Sequence, residues 1–526
     1  MPYYLIHAGT KLQKMATDGS LADLELPAGV TISDARPARF ALLNKTILVA
    51  NAPSRTLLFD GGLNAHLASL AAPTAAPTVS AGSGSLIGDY VAAYTFAIKD
   101  ANGNVIAESD LSPLSASITL ATEGLALSSI QQSSASGVTA RRIYRSASGG
   151  DALYWAYDLE GNNATTYTST ELDVALDTVA VSEAGLGAAP GATDVDRLKL
   201  VVAWKDRLWG VSDIEPDNLR FSGARKPYAW DPFNMIPVPP VGSDLVGVTG
   251  FLPRRDELGV LKLSALHKII GSNPDDFDRL GVEEGVGSLA PDTCIVIRDV
   301  GYFLSHDGVY TWGPEGVNSI SDAEVRPWFT TDLYFNRSAF SSAFARYNWR
   351  THSYELHLPS AGQTDIDQWV QYDIDRKHWF GPHETLAMVP TSGGQITDDY
   401  GLPVPAVGSE AGFLWTQNNL AVMDGEFEIV FDVETQPYTE TVPDVQKLFK
   451  ELSLLTRDQG GGFVQVTPTV DKDEQTTILA PLGQTRTRLR RLGNGRLLTL
   501  RFTHDTFEED CEIHGFEAPF HVTGRR

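Results

Sequence analysis

Apolar residues in this chain fall in short runs separated by turn residues, and the stretch from Cys294 to Pro314 shows the pattern most clearly. Positions 295–297, 302–304 and 309–312 are β-branched or aromatic runs. Between the last two runs, Asp307 and Gly308 form the dipeptide that supplies positive φ angles to tight hairpins. The pattern predicts a β-hairpin whose structural turn is Asp307-Gly308.

The same plan of strand, polar turn and strand recurs along the chain. It is found in stretches that begin at Ala41, Leu200, Glu257, Phe344, Trp369 and Ala406. Outside residues 73–190 these hairpins recur at roughly 40 to 60 residues, which is the spacing of β-propeller blades. We therefore expect a mainly β protein in which residues 1–72 and 191–435 together form one β-propeller.

Two runs of small residues predict an inserted domain over residues 73–190. LAAPTAAPTVSAGSGS starts at Leu70 and AGLGAAPGAT starts at Ala184, and both are typical of linkers. Between them Tyr90, Tyr94 and Phe96 alternate, an Asn-Gly turn follows at residues 102–103, and further strands come at roughly 10-residue spacing. This pattern resembles an immunoglobulin-like or fibronectin type III sandwich.

Residues 436–526 read as a C-terminal β-sandwich or platform. Val464, Val466 and Val470 mark one alternating strand, and Asn494-Gly495 predicts a hairpin turn. Residues 444–455 are the clearest candidate for a helix, in a chain that otherwise has almost no 3.6-residue apolar period. The basic residues of this region form a cluster that is a candidate partner-docking surface: Arg486, Arg488, Arg490, Arg491, Arg496 and Arg501.

The charge of the chain excludes one class of function. Its 526 residues contain 41 Lys and Arg and 66 Asp and Glu, which gives a net charge of −25. Affinity for nucleic acid comes largely from cations that displace counterions, so tight binding to phosphates is not expected. The two cysteines, Cys294 and Cys511, predict reduced thiols rather than a disulfide framework. No leader or long apolar run is present, so we expect synthesis in a cytoplasm without membrane insertion.

Motifs that carry chemistry are weak in this sequence. GVGSLA at 285–290 is followed by Pro291 and a strand, where a dinucleotide site needs a helix. The pairs His352/His357 and His378/His383 are five residues apart, which on a strand places the two rings on opposite faces. The acidic residues are too scattered to nominate the paired carboxylates of a glycosidase. We therefore assign no catalytic, cofactor or metal residue, and expect a protein that is not an enzyme.

The order of segments along the chain resembles one family. ALLNKTILVAN is followed by RIYRSASGG, KDRLWGVS, LKLSALHKIIGSN, GVGSLAPDT and VGYFLSHDGVYTW in succession, and an arginine-rich β tail ends the chain. In this order and over nearly the full length, the chain resembles the tail nozzle proteins of short-tailed bacteriophages, also called tail tubular protein B or packaged-DNA stabilisation protein.

The resemblance implies a virion structural protein that forms a ring of six in the viral tail. Such a ring lies below the portal and its adaptor, extends the channel for DNA ejection, and retains the packaged genome. Its partners would be the adaptor and portal complex, with tail fibres or spikes and a tail plug or needle as further candidates. Duplex DNA would pass through the lumen without tight binding.

A second class of function stays open, namely a glycan-binding or glycan-cleaving propeller adhesin at a tail tip or cell surface. Aromatic side chains at this spacing either stack on sugars or fill blade cores. The tryptophans concerned are Trp204, Trp209, Trp230, Trp312, Trp328, Trp349, Trp369 and Trp379.

Overall fold

A computed structural model describes eleven ranges of the chain: residues 3–176, 197–231, 233–240, 246–321, 325–398, 401–417, 423–425, 427–439, 445–457, 462–505 and 511–525. The chain divides into two compact units. Unit 1 comprises Met1–His383 and Pro390–Trp415, and unit 2 comprises Glu384–Val389 and Thr416–Arg526. Both are built mainly from antiparallel sheets, so the predicted mainly β class is confirmed.

Among the described residues of unit 1, seven small sheets outside the insert are each formed by strands that follow one another in the chain; we call them meanders 1 to 7. Meander 1 consists of β1 Tyr3–Ala8, β2 Lys11–Ala16 and β3 Leu21–Asp23. Meander 2 consists of β4 Arg39–Leu43, β5 Thr46–Ala50, β6 Leu57–Phe59 and β7 Ala65–Leu67. An insert that holds β8 to β14 follows, and meander 3 consists of β15 Leu198–Trp204, β16 Arg207–Ser212, β17 Asn218–Phe221 and β18 Met235–Pro237.

Meanders 4 to 7 complete the series. Meander 4 consists of β19 Gly250–Pro253, β20 Leu258–Leu261, β21 Ala265–Ile270 and β22 Asp278–Glu284, and meander 5 of β23 Ile295–Ile297, β24 Val300–Leu304, β25 Val309–Gly313 and β26 Gly316–Ser319. Meander 6 consists of β27 Phe344–Asn348, β28 Ser353–Leu358, β29 Gln368–Asp373 and β30 His378–Glu384. Meander 7 consists of β31 Pro390–Thr397, β32 Pro403–Ser409 and β33 Leu414–Thr416. The short helix α1 Arg326–Thr330 and two 3-10 helices, Pro291–Thr293 and Arg337–Ser342, connect them.

The first strands of successive meanders lie side by side. Contacts join β4 to β15, β15 to β19, β19 to β23, β23 to β27 and β27 to β31. Meander 1 contacts both ends of this series: the Tyr3 ring packs edge-on against Phe59 of β6 at 5.6 Å, and the Tyr4 hydroxyl accepts a hydrogen bond from Thr397 N of β31 at 2.6 Å.

Two-residue turns close the first hairpin of three meanders. The φ angles are 48° and 66° at Asn44-Lys45, 46° and 56° at Lys205-Asp206, and 50° and 66° at Arg298-Asp299. Positive φ at both positions is the signature of the type I′ turn, whose twist matches that of the strands it joins. The turn therefore fixes the register of each hairpin, as in the pairing of Leu43 with Thr46.

The insert is a sandwich of two antiparallel sheets, ordered β14-β11-β8 and β10-β9-β12-β13. Its strands are β8 Thr78–Tyr90, β9 Ala92–Lys99, β10 Val105–Glu108, β11 Ile118–Ser128, β12 Ala140–Ser146, β13 Leu153–Glu160 and β14 Tyr167–Ser169, followed by the 3-10 helix Asp173–Ala175. Tyr90, Tyr94 and Phe96 are buried in the core between the two sheets, as the alternation predicted.

The predicted linker from Leu70 is wrong in its second half, because β8 begins at Thr78. The small residues there serve close strand packing: a Cβ on Gly84 would lie 2.5 Å from the Cα of Gly124 on β11. The other small-residue run, from Ala184, lies outside the described residues.

The described part of unit 2 forms two larger sheets and one two-stranded ribbon, β34 Met423–Asp424 with β35 Phe427–Glu428. The first sheet contains β36 Phe431–Glu434, β42 Leu498–His504, β38 Phe463–Val470, β39 Asp473–Glu474 and β40 Ile478–Pro481. The second contains β41 Arg486–Gly495, β37 Val445–Thr456, β43 Ile513–Glu517 and β44 Phe520–Arg525. Phe449 and Leu452 of the second sheet share a core with Val464, Val466 and Val470 of the first.

Two predictions for unit 2 are wrong. The candidate helix is strand β37, and its bulge between Phe449 and Glu451 shifts the buried face by one residue. Asn494-Gly495 is not a hairpin turn, since β41 pairs with β37 while β42 pairs with β36 and β38. The backbone N–H groups of Arg496 and Leu497 instead donate to Asp471 Oδ1, at 2.7 and 2.9 Å, where the chain leaves one sheet for the other.

Candidate docking surface

The predicted turn at Asp307-Gly308 does join two antiparallel strands, but its physical basis is different from the one expected. Leu304 pairs with Val309, and Ser305 N donates to Gly308 O at 2.8 Å. Neither Asp307 nor Gly308 has a positive φ, so the positive-φ prediction is wrong. Glycine is favoured because a Cβ at this position would clash with Ser321 Oγ, and moving Ser321 would break the hydrogen bond that its Oγ accepts from Val309 N at 3.0 Å.

The basic cluster of unit 2 is divided between two sheets. Arg486 and Arg488 lie on β41 and alternate with the buried Thr487 and Leu489, so their side chains leave the outer face of that sheet. Arg501 lies on β42 in the other sheet. Exposed Arg496 lies at the crossing between them. Arg490 and Arg491 belong to β41, but their side chains lie outside the described residues.

Three of these arginines bind carboxylates of the same unit. Arg486 Nη2 is 2.5 Å from Glu517 Oε2, and Arg488 Nε is 3.3 Å from Glu451 Oε1. Arg501 binds both oxygens of Asp432, at 2.8 and 2.5 Å. That fork raises the pKa of Arg501 and lowers the pKa of Asp432, and hydrogen bonding between the two groups is the first cause of both shifts.

In this geometry the three arginines are accessible to a partner, but their charges are largely compensated. The three side chains are 49%, 67% and 54% exposed, so a partner can reach them. Each charge is already offset by a neighbouring carboxylate, and exposed pairs of this kind contribute little to stability. The surface therefore suits a protein partner whose carboxylates could replace the local ones. It suits a polyanion such as DNA less well, because a polyanion binds to uncompensated cations.

The sequence did not single out the charged network of the insert, in which Arg141 and Arg145 are buried and Arg142 is half-buried. Arg142 donates to Glu108 Oε2 at 3.0 Å and to Asp158 Oδ1 at 2.9 Å, and Tyr144 donates to Glu108 Oε1 at 2.6 Å. Arg141 donates to the carbonyls of Gly161 and Ala164. Glu108 is 1% exposed, so this network stabilises the insert and is closed to ligands.

The tryptophans predicted either to stack on sugars or to fill cores are mostly core residues. Trp204, Trp209, Trp230, Trp312 and Trp379 are between 0% and 8% exposed, and Trp328, Trp349 and Trp369 are half-buried. A cavity of about 420 Å³ lies beside Trp312. Its cations are paired, because Arg254 and Lys268 bind the two oxygens of Glu257 at 2.8 and 2.6 Å.

The strand-offset argument applies to only one of the two histidine pairs. His357 is buried on β28, whereas His352 is half-buried in the turn that precedes the strand. His378 and His383 both lie on β30, where His378 is exposed and His383 is half-buried. Across the described ranges, no group of three or more His, Cys, Asp or Glu side chains is arranged to hold a metal ion. Within those ranges, no helix has the length and apolar character to cross a membrane.

No family model matches this chain, and no curated protein matches it. Among solved structures, the chain is similar to the extracellular domain of the one-component system BT4673 from B. thetaiotaomicron, with 10% identity over 97% of this chain and 77% of that one and a TM-score of 0.26. It is also similar to PorZ of the type-IX secretion system of Porphyromonas gingivalis, with 10% identity over 97% and 74% and a TM-score of 0.24. The N-terminal domain of Nup159 gives 11% identity over 52% and 72% and a TM-score of 0.26. Likenesses this weak carry no conclusion on fold or function.

Proposed function

We propose that this chain is a subunit of a short-tailed phage tail nozzle, a ring that extends the DNA-ejection channel below the portal and adaptor. The observation that carries the proposal is the layout of the chain. Seven consecutive meanders are interrupted after the second by a two-sheet insert and followed by a two-sheet C-terminal unit. This layout follows the order of segments on which the family resemblance is based.

The meanders are proposed to form a seven-bladed propeller. First strands lie side by side through meanders 2 to 7, as the inner strands of successive blades do around an axis. Meander 1 would close the circle, a role supported by the packing of Tyr3 on β6 and by the hydrogen bond between Tyr4 and Thr397 of β31. The insert would then be an immunoglobulin-like module that leaves the propeller after its second blade, and unit 2 a sandwich platform.

A conduit for DNA has to avoid holding it. The net charge of −25 per chain gives 6 × −25 = −150 for six copies. The best candidates for phosphate contacts, Arg486, Arg488 and Arg501, are already paired with carboxylates. Binding of a duplex to this surface would release few counterions, so the duplex would gain little affinity and could slide past it.

The proposed assembly is a homo-hexamer, formed at least when an adaptor templates it. Each subunit would meet two neighbours through head-to-tail contacts, the interface type that generates cyclic rings. The arginine surface of unit 2 is proposed to dock against a protein partner, whose carboxylates would replace Glu517, Glu451 and Asp432.

The glycan-binding alternative receives no support from the tryptophans. A sugar platform needs an aromatic face open to solvent, whereas five of the eight tryptophans are at most 8% exposed. The proposal assigns no catalytic role to the chain.

A gel-shift titration across a salt series, run beside an assembly assay, tests the docking role of unit 2. Arg486→Glu, Arg488→Glu and Arg501→Glu are combined in one variant, and the corresponding Gln variant separates repulsion from loss of charge. Lys45→Glu, Arg255→Glu and Lys377→Glu form a matched control, because all three are exposed cations of unit 1. We expect impaired assembly only in the unit 2 variants and negligible DNA binding throughout. Sub-micromolar, strongly salt-dependent DNA binding that the unit 2 variant abolishes would contradict the passive-channel function.

A further inference from the structure

Meander 7 is attached to the rest of unit 1 without a shared apolar core. Among the described residues, none of the hydrophobic core clusters of unit 1 includes a residue of meander 7. Strands β31 and β32 pack against β27 of meander 6, where a Cβ on Gly393 would lie 2.8 Å from Cδ2 of Phe344. Because little apolar surface is shared, this interface is expected to open more readily than the others.

The face of meander 6 that meander 7 covers carries buried polar side chains. On β27 and β28, Phe344 lies opposite His357 and Arg346 lies opposite Glu355, so these four residues share one face. Arg346 and Glu355 are 7% and 0% exposed, and Arg346 Nε donates to Glu355 Oε2 at 2.7 Å. Asn348 Nδ2 donates to the other oxygen at 2.8 Å. The buried carboxylate is therefore already bound through both of its oxygens.

His357 differs from its polar neighbours on this face because its imidazole is unsatisfied. The residue is 2% exposed, and neither Nδ1 nor Nε2 has a hydrogen-bond partner. The ring lies between Phe344 and Trp369, with centroids 4.5 and 6.0 Å away and nearly parallel planes. A buried imidazole without a partner is a cost to the closed interface.

The surroundings of His357 favour its neutral form. The charged and titratable side chains that face it are Arg346 on β27, Glu355 on β28 and, beyond Trp369, His383 on β30. Burial lowers the pKa of His357, and Arg346 lowers it further. The covering strands β31 and β32 contain no charged residue. A proton on the ring therefore has no acceptor until water reaches it.

We propose that meander 7 is a pH-sensitive flap, which opens away from meander 6 when His357 takes up a proton while the other meanders stay folded. In the open form the ring meets water and regains the ordinary imidazole pKa near 6.5, so each pH unit below that value favours opening about tenfold. Thr397 N of β31 donates to the Tyr4 hydroxyl at 2.6 Å, so opening also loosens the contact with meander 1.

Hydrogen exchange of the full-length protein, followed by mass spectrometry, tests the flap. Spectra taken about one unit above and one unit below pH 6.5 are corrected for the intrinsic exchange rate. In the wild type, residues 390–409 should be less protected than meander 3 at both pH values, and their protection should fall about tenfold at the lower pH.

Two substitutions and a matched control isolate the imidazole. His357→Phe and His357→Gln cannot take up a proton, so the protection of residues 390–409 should not change with pH in either variant. His267→Phe is the control, because His267 of meander 4 is also buried and its Nε2 also has no partner. In this control the tenfold fall should persist.

Three results would overturn the proposal. Equal protection of meanders 3 and 7 at both pH values would show that meander 7 opens only when the whole unit unfolds. A tenfold fall that persists in the His357 variants would assign it to another group, and His357→Gln gives this answer if His357→Phe does not fold. Loss of the fall in His267→Phe would show that the response is not specific to the interface between meanders 6 and 7.

Discussion

At the scale of single residues, several glycines of this chain are fixed by atoms that approach them from distant positions. Gly308 faces Ser321 Oγ, and Gly495 faces Asp471 Oδ2, which would lie 2.8 Å from a Cβ. Neither has the left-handed backbone that usually explains a glycine in a turn. Substitution at such positions is therefore a test of packing rather than of backbone strain.

Gly308→Ala is expected to destabilise unit 1 by about 1–3 kcal/mol, because the added methyl group forces Ser321 and the 305–308 loop apart. Gly313→Ala is the matched control in the same hairpin. The nearest atom to a Cβ there, a methyl of Val300, is 3.8 Å away. Urea unfolding of both variants measures the difference, and equal midpoints would show that the Ser321 contact does not constrain the turn.

Buried and half-buried histidines give unit 1 a pH dependence whose sign follows from their pKa shifts. Burial lowers the pKa of His357 well below 6.5, and its neighbour Arg346 lowers it further. Burial is also the first cause that lowers the pKa of His7, His66, His267 and His383. The unfolded chain takes up protons near pH 6.5 while the folded chain does not, so the free energy of unfolding falls as pH drops below 6.5.

His357→Phe removes one group that takes up a proton on unfolding. Below pH 6.5 the slope of unfolding free energy against pH should therefore decrease by about 1.4 kcal/mol per pH unit. The ring stacks between Phe344 and Trp369, at 4.5 and 6.0 Å, so phenylalanine fits the site. Unfolding free energies measured above and below pH 6.5 give the slope, with the values above pH 8 as the internal reference. A slope identical to that of the wild type would show that His357 takes up its proton without unfolding.

At the scale of elements, the two-residue turns contain residues other than glycine with positive φ angles, and replacing such a residue by glycine should increase the free energy of unfolding. Lys45 is exposed and has a φ of 66°, a conformation that costs a non-glycine residue about 1 kcal/mol. Lys45→Gly is expected to raise the unfolding free energy by about 0.5–1 kcal/mol. Asn44→Gly serves as comparison, because it also removes the hydrogen bond from Asn44 Nδ2 to Arg225 O. A Lys45→Gly protein less stable than the wild type would contradict the turn assignment.

Arg145 ties strand β12 to the end of the insert. Its fully buried side chain binds Ser169 Oγ at 3.1 Å, Asp173 at 2.7 Å and the carbonyl of Glu171. Arg145→Met should cost about 3 kcal/mol or more and should speed proteolysis near residues 169–176. Arg225→Met, which breaks an ion pair between side chains 74% and 63% exposed, should cost less than about 1 kcal/mol. Equal effects of the two substitutions would contradict the clamp.

Alternation along the chain predicted the strands well, and it failed where a bulge or a sheet crossing intervened. The bulge in β37 moves the buried positions from Val445 and Phe449 to Leu452 and Thr456, which imitates the spacing of a helix. The Asn494-Gly495 dipeptide has hairpin chemistry, yet the partner strands that decide its role are far away in sequence. Arg39 and Asp292 form an ion pair although they are 253 residues apart, and no local signal in the sequence brings these two together.

At the scale of the whole molecule, the repeated strand pairs predicted a series of small sheets but neither their number nor the contacts that join the two ends of the series. Six meanders could be read as hairpins, whereas the link between the two ends of the series depends on single contacts of Tyr3 and Tyr4. The arginine cluster was visible in the sequence. Its division between two sheets and its ion pairs with local carboxylates could not be predicted, because both depend on which strands lie next to each other.

Native mass spectrometry of assembled tails and of the purified chain mixed with the adaptor, with electron microscopy of the same samples, tests the central claim most directly. A nozzle subunit is expected to give closed rings of six chains, of mass 6 × 57.0 kDa or about 342 kDa, around a lumen wider than a duplex. Only monomers or two-fold dimers in both samples would contradict the account, and saturable glycan binding would favour an adhesin.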